Sequence, residues 1–239
     1  MTQEQEICLA LDTALEACSV GLAIRANGKV THFERSLALG RGHAEHLMDE
    51  LQLLLNGQGL AYKDLTRIAA TVGPGSFTGL RVGLATARAL ALALDIPVIG
   101  ASTLMALALD AQASGKRGTI GCFIDARRNQ IYGQFFTLGD ECTPPQAISE
   151  AEAKTAYQFA QECTAFPDLT LIGNGAPLVI AAAPGEKLEN ATFLPVSYPR
   201  MAALARWALD EPKAATPPAP LYLRAPDAKP QASKAIAHQ

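Results

Sequence analysis

Apolar and polar positions along this chain fall into two rounds of one pattern. Residues 7–12, ICLALD, are an unbroken apolar run ending in Asp, which reads as a strand buried on both faces. Residues 18–25 predict a second strand. Asn27-Gly28 predicts a two-residue hairpin turn, whose central positions both need positive φ, and residues 30–35 a third strand. A helix is predicted over 43–55, with Leu47, Leu51, Leu54 and Leu55 on one stripe. A strand over 68–72, a helix over 78–94 and a strand over 98–100 complete a βββαβα unit. Ser102 caps a further helix over 103–113.

The polar run Gly115-Lys116-Arg117-Gly118 marks a domain boundary, after which the pattern restarts. A strand over 119–124 ends at Asp125. A turn at Arg127-Arg128-Asn129 leads into a strand over 130–137. A helix over 150–163, a strand over 169–172, the turn GNGAP and a helix over 199–209 with Pro199 in its first turn follow. LALDTALEACSVGLA and CFIDARRNQIYGQFF each read as a buried strand ending in Asp, a turn, and a strand containing Gly. The expectation is an α/β chain of two similar lobes with a cleft between them: residues 1–114, residues 115–210, whose last helix is able to pack back on the first lobe, and a tail. Six of the 15 prolines fall between Pro212 and Pro230, so residues 211–239 read as extended, with PLYLR able to pack and 231–239 frayed.

The helix over 78–94 is apolar nearly all round, with Arg81, Thr86 and Arg88 its clear breaks. Such a helix needs cover on every side. A sheet covers one side, and a second protein is expected on the other. Gly79, Gly83 and Ala87 recur every fourth residue and permit another backbone to come close. On this reading Gly83→Arg leaves the monomer folded and abolishes pairing.

The length accommodates a sizeable core, and 49% hydrophobic with 18% charged residues is a globular composition. A net charge of −3 leaves no electrostatic footprint for nucleic acid. Five cysteines without a CxxC pair fit a reducing compartment. The opening MTQEQEI does not read as a signal peptide, and no run approaches ~18 uninterrupted apolar residues, so no membrane span is expected.

Four motifs invite chemistry. GPGSFTG, between a strand and a helix, would aim backbone amides at an anion, or is simply a tight turn capped by Ser76 or Thr78; it is neither a Walker loop nor GxGxxG. Asp12 and Asp125 end central strands and would position Mg²⁺ and phosphates across the cleft, as in a sugar-kinase-like ATPase. Thr13-Ala14 and Ala126-Arg127 follow them where close phosphate approach wants Gly, which favours ordinary turn-forming aspartates. His43 and His46 share a helix face, but HAEH is not HExxH, and the other histidines, His32 and His238, offer no evident third ligand. Gly173 and Gly175 in GNGA suit a nucleotide against backbone or a plain strand-to-helix turn. GPGSFTG is not GxSxG, so nucleophilic catalysis finds no support.

Taken in order, LALDTALEACSVGLA, HAEHLMDELQLLL, TVGPGSFTGLRVGLATARALALALDIPVIGASTL, IDARRNQIY, IGNGA and PLYLRAPDAK closely resemble the TsaB family of bacterial proteins, also called YeaZ. GPGSFTGLRVG carries most of the specificity. The resemblance implies a two-lobed actin-like ATPase fold (the actin/Hsp70/sugar-kinase superfamily, ribonuclease H-like) of duplicated βββαβα units. It implies a non-catalytic role in a cytoplasmic complex that makes threonylcarbamoyladenosine beside the tRNA anticodon. The partner is the related catalytic subunit TsaD, which carries the metal, on an HxxxH pair, and the nucleotide. The ATPase TsaE and a threonylcarbamoyl-AMP synthase complete the pathway. The resemblance implies no cofactor, metal or catalytic residue here, with ATP and metal on partner subunits and tRNA held mainly through the complex. It implies pairing through the two first-lobe helices, hence an interface of His43, His46, Leu47, Glu50, Gly79, Arg81, Val82, Gly83, Thr86, Ala87 and Leu90, which seats a homodimer when TsaD is missing. Asp12, Thr13, Asp125, Gly173 and Gly175 would line a vestigial nucleotide cleft. Older naming of the family as a peptidase finds no support in these residues.

Overall fold

Eight strands and α-helices build a sheet with helices on both faces, and nine more among the described residues build it again. A computed structural model describes residues 5–40, 42–183, 188, 190–213 and 216–224. The first round runs β1 (Glu6–Asp12), β2 (Ala17–Ala26), β3 (Lys29–Ala38), α1 (His43–Gly57), β4 (Arg67–Thr71), α2 (Phe77–Leu94), β5 (Val98–Ala101) and α3 (Thr103–Ala113). Its sheet is ordered β3-β2-β1-β4-β5, antiparallel through the hairpins and parallel from β1 onward. The second round runs β6 (Gly118–Arg127), β7 (Gln130–Leu138), β8 (Gln146–Ala147), β9 (Glu152–Lys154), α4 (Ala156–Cys163), β10 (Leu169–Ile172), α5 (Ala176–Ala181), β11 (Thr192–Leu194) and α6 (Met201–Ala208). Its order, β8-β7-β6-β10-β11, repeats the first, with β9 added alongside β7. This is the actin-like, two-lobed α/β fold.

Asn27 and Gly28 take φ of 52° and 73°, as the hairpin between β2 and β3 requires. Two boundaries differ from expectation. The helix expected over 150–163 starts only at Ala156, because Glu152–Lys154 pairs with Ile131–Gly133 and Thr155 caps the helix by accepting from the Gln158 amide. Pro199 lies before the N-cap Arg200 rather than in the first turn of α6. The tail residues 225–239, with His238 and the end of PLYLRAPDAK, lie outside the described residues.

Strand periodicity sorts the core into layers. Ile7, Leu9 and Leu11 of β1 face α1 and α2, while Cys8 and Ala10 face α6. Ile120, Cys122 and Ile124 of β6 face α3, while Phe123 faces α4 and α5. Helix α6 leaves the second lobe and lies on β1 and β2 of the first. Gly21 makes this approach possible, since a Cβ there would fall 2.3 Å from the carbonyl carbon of Met201. Arg200 ties α6 to α3, its Nε donating to Asp110 Oδ1 at 2.6 Å and Nη2 to Ser114 Oγ at 2.7 Å.

Residues 216–224 form a strap across the same seam. The Leu221 amide donates to the Val72 carbonyl at 2.7 Å, and Tyr222 lies on Phe77 with ring centroids 5.4 Å apart. Arg88 donates to the Pro218 carbonyl, and Arg224 to the Ala126 carbonyl in the second lobe.

Candidate functional site

The end of β1 is closed by protein. Thr13 Oγ1 donates to the Gly79 carbonyl at 2.7 Å, and the Ser76 amide donates to the Ala14 carbonyl at 2.7 Å. A Cβ at Gly79 would fall 1.9 Å from the Thr13 carbonyl oxygen, and one at Gly75 would fall 2.5 Å from that of Ala14. The glycines of GPGSFTG therefore admit the β1–β2 turn of the same chain. Ser76 is the α2 cap, accepting from the Gly79 amide at 3.3 Å. Ala14, Leu15, Leu80 and Leu107 of the first lobe join Ile124, Tyr132 and Phe136 of the second in one buried cluster, so apolar side chains fill the space between lobes at this point.

Asp12 is wholly buried on the α6-facing side of the first sheet. Its Oδ1 accepts from the Thr71 hydroxyl and, at 3.2 Å, from the Ala14 amide; no described group pairs with its Oδ2. Burial pushes its carboxyl up to about 6 from 3.8, against the opposing pull of the Thr71 and backbone hydrogen bonds. Asp125 is exposed, among Thr155, Ala156 and Leu178 at the starts of α4 and α5. It closes a turn, its Oδ1 accepting from the Arg127 amide at 2.7 Å. The two aspartates thus do not face one cleft, contrary to the expectation drawn from the echo of the two segments. Gly173 and Gly175 are also structural: Cβ atoms there would fall 2.1 Å from the Phe123 carbonyl oxygen and 2.9 Å from the Ile124 carbonyl carbon. The vestigial cleft of Asp12, Thr13, Asp125, Gly173 and Gly175 is not brought together.

Helices α1 and α2 lie side by side on the outer face of the first sheet. Their orientation corrects part of the expected interface. Gly79, Gly83 and Ala87 point inward, and a Cβ at Gly83 would fall 2.5 Å from Thr13 Oγ1. The small-residue stripe serves a close approach within this chain, so Gly83→Arg would disrupt the monomer. Leu47 and Glu50 are buried as well, Glu50 held by Arg35 Nε at 2.8 Å. His43, His46, Val82, Thr86 and Leu90 are half-buried, and Arg81 is exposed with its guanidinium 3.8 Å over the Phe77 ring.

The outward side belongs to residues the sequence reading passed over. Leu92 is 85% exposed; Met48 and Phe77 are also open, and Ala85, Ala89 and Ala93 continue the α2 stripe, whereas Leu53, exposed as well, lies in a groove with Phe33 and Arg35 of β3. Ala85, Ala89 and Ala93 also recur every fourth residue, a signal masked by the more suggestive glycines. Phe77–Leu94 is long and apolar enough, by length and composition, to count as a membrane span, a third of it is buried in this fold, and Arg81 and Arg88 face out. Among the described residues no three His, Cys, Asp or Glu side chains converge in a metal-binding group.

Residues 38–176 match the family described as TsaD, tRNA N6-adenosine threonylcarbamoyltransferase. The chain is 33% identical over 180 residues to the tRNA threonylcarbamoyladenosine biosynthesis protein TsaB of Haemophilus influenzae, covering 68% of this chain and 75% of that one. It is 40% identical over 125 residues to the protein of the same name from Escherichia coli, covering 52% of each. Among solved structures, an uncharacterized Pseudomonas aeruginosa protein described as similar to peptidase YEAZ superposes with a TM-score of 0.76 at 28% identity, covering 92% of this chain and 100% of that one.

Proposed function

This chain belongs to the TsaB (YeaZ) family of tRNA threonylcarbamoyladenosine biosynthesis proteins, and from that premise we propose that it is a non-catalytic subunit that seats a TsaD-type catalytic subunit on the outer face of α1 and α2. The observation that carries the reading is the outward face of two adjacent helices, with Met48, Leu92 and the stripe of Ala85, Ala89 and Ala93 open to solvent. Large exposed apolar residues grouped on one face are the usual mark of an interaction surface. The filled space at Thr13-Ala14 supports a partner that brings its own nucleotide and metal. In this reading a TsaE-type ATPase joins the complex, tRNA is held mainly by the assembly in the cytoplasm, and a second copy of this chain occupies the face when the catalytic subunit is missing.

The test is direct. Met48→Glu and Leu92→Asp place charge on the face without touching the core. Both variants should unfold at the wild-type midpoint and fail to co-elute with the catalytic subunit in size-exclusion chromatography. An unchanged complex with both variants sinks the proposal. In cells, depletion followed by mass spectrometry of tRNA nucleosides should show loss of threonylcarbamoyladenosine.

A further inference from the structure

Two charged side chains stand on the outer face of α2, Arg81 and Arg88, and one segment holds both. Seven residues apart, they leave the same side of the helix about 10 Å from each other. Arg81 lays its guanidinium 3.8 Å over the Phe77 ring, and Phe77 in turn lies against Tyr222 of the strap. Arg88 donates to the Pro218 carbonyl of the same strap. The strap has a shaped seat. A Cβ at Gly73 would fall 2.6 Å from the Leu221 carbonyl oxygen, and one at Gly100 would fall 2.5 Å from Pro218 Cβ. Glycine at both positions lets the segment lie directly on the ends of β4 and β5.

Neither arginine is neutralised. Among the described residues no carboxylate pairs with either one, and α2 has no acid between Phe77 and Leu94. A guanidinium flat on a ring uses its face and leaves the N–H edge open. That edge is the planar fork that grips a carboxylate through two parallel hydrogen bonds. An ordinary surface arginine gains little from such a pair, because a long side chain must first be ordered. Here the order is present before any partner arrives, and preorganisation of this kind strengthens association.

We propose that residues 216–224 are a positioning element of the docking face: the strap sets Arg81 and Arg88 as two fixed cations, and the catalytic subunit presents carboxylates to them. This rests on the scaffold role proposed above. It adds the chemistry of the partner's surface, two acidic side chains about 10 Å apart, or two turns of a facing helix. It also gives the C-terminal segment a part in recognition, through Tyr222 and Pro218, which act by way of the arginines.

Calorimetry of the full chain with the purified catalytic subunit measures the anchor. Arg81→Ala and Arg81→Lys should each weaken the complex by roughly tenfold, the second because lysine keeps the charge and lacks the fork. Tyr222→Ala should weaken it by about 3- to 10-fold, and Tyr222→Phe should bind as the wild type does. Tyr222→Ala added to Arg81→Ala should cause little further loss, since the ring works through the guanidinium. Raising NaCl from about 50 to 500 mM should loosen the wild-type complex and barely move one carrying Arg81→Ala with Arg88→Ala. Wild-type affinity in both Arg81 variants, or a Tyr222→Ala loss that adds in full to that of Arg81→Ala, overturns the proposal. If the Arg81 variants bind normally while Met48→Glu and Leu92→Asp do not, the scaffold stands and the carboxylate anchor falls. If the wild type forms no complex, the scaffold itself falls and the anchor goes with it.

Discussion

Thr13 and Gly83 meet where the β1–β2 turn passes under α2: a Cβ on Gly83 would lie 2.5 Å from the threonine hydroxyl oxygen. That hydroxyl already donates to the Gly79 carbonyl, so the turn and the first turns of the helix are locked together. A contact closer than about 3 Å forces something to move. At Gly83 the obstacle is a side chain, and at Gly79 it is the Thr13 carbonyl oxygen, 1.9 Å away. Gly83→Ala should cost about 1–3 kcal/mol as an overpacking change, and Gly79→Ala more, because backbone yields less readily. Urea unfolding of both variants checks the order; equal midpoints to wild type would show that the turn is loose.

The buried Asp12 carboxyl makes stability depend on pH with a definite sign. Its pKa is higher in the fold, about 6, than the ordinary 3.8. The fold therefore prefers the protonated acid. Its stability is full below about pH 4, falls as the unfolded chain ionises, and reaches its floor once pH passes 6. The gap corresponds to a penalty on the order of 3 kcal/mol at neutral pH. Asp12→Asn should match wild type near pH 4 and become the more stable protein by pH 7. Denaturant midpoints of the pair across that interval measure it, and a constant difference would refute the assignment.

Arg200 neutralises an acid that has nowhere else to turn. The Asp110 side chain is 1% exposed and accepts from Arg200 through both the guanidinium and, at 3.3 Å, the backbone amide. Burial raises its pKa, and the arginine pulls it back down. Arg200→Ala should cost about 3 kcal/mol by stranding the carboxylate. Adding Asp110→Asn should recover part of that loss. A double-mutant cycle on thermal unfolding tests the pairing, and simple additivity would argue that the two are independent.

The strap is expected to behave as a clasp. Tyr222→Ala with Arg224→Ala removes the ring contact to Phe77 and the donor to the Ala126 carbonyl. The combined loss should be about 1–2 kcal/mol, which lowers Tm by roughly 2–8 °C in a chain of this size. Hydrogen exchange at the start of α2 should rise at the same time.

Much of the fold was legible because its signals are local. ICLALD, Asn27-Gly28 and the leucine stripe of α1 each name their element without reference to the rest of the chain. The β9 strand was not legible: Glu152–Lys154 carries helix-compatible residues and is extended only because β7 offers it a ladder. The duplication could be read, but its face assignment could not. A one-residue difference in how strand and turn align puts Asp12 and Asp125 on unlike sides of their sheets. Close-packing glycines likewise announce that a backbone comes near without saying whose. Here Gly79 and Gly83 receive Thr13 of the same chain, and the outward stripe of Ala85, Ala89 and Ala93 repeats the same spacing without glycine to draw attention to it.

The crossing of α6 onto the first sheet has a bearing on biosynthesis. Cys8, Ala10, Ala23 and Ala69 share their cover between Ala106 and Leu109 of α3 and Met201, Leu204, Ala205 and Ala208 of α6. While the polypeptide is emerging from the ribosome, the α6 share of that cover is missing until Met201 has been translated. The front half is therefore not an autonomous folding unit, and nascent chains halted before Met201 should be clients for chaperones that shield hydrophobic surface.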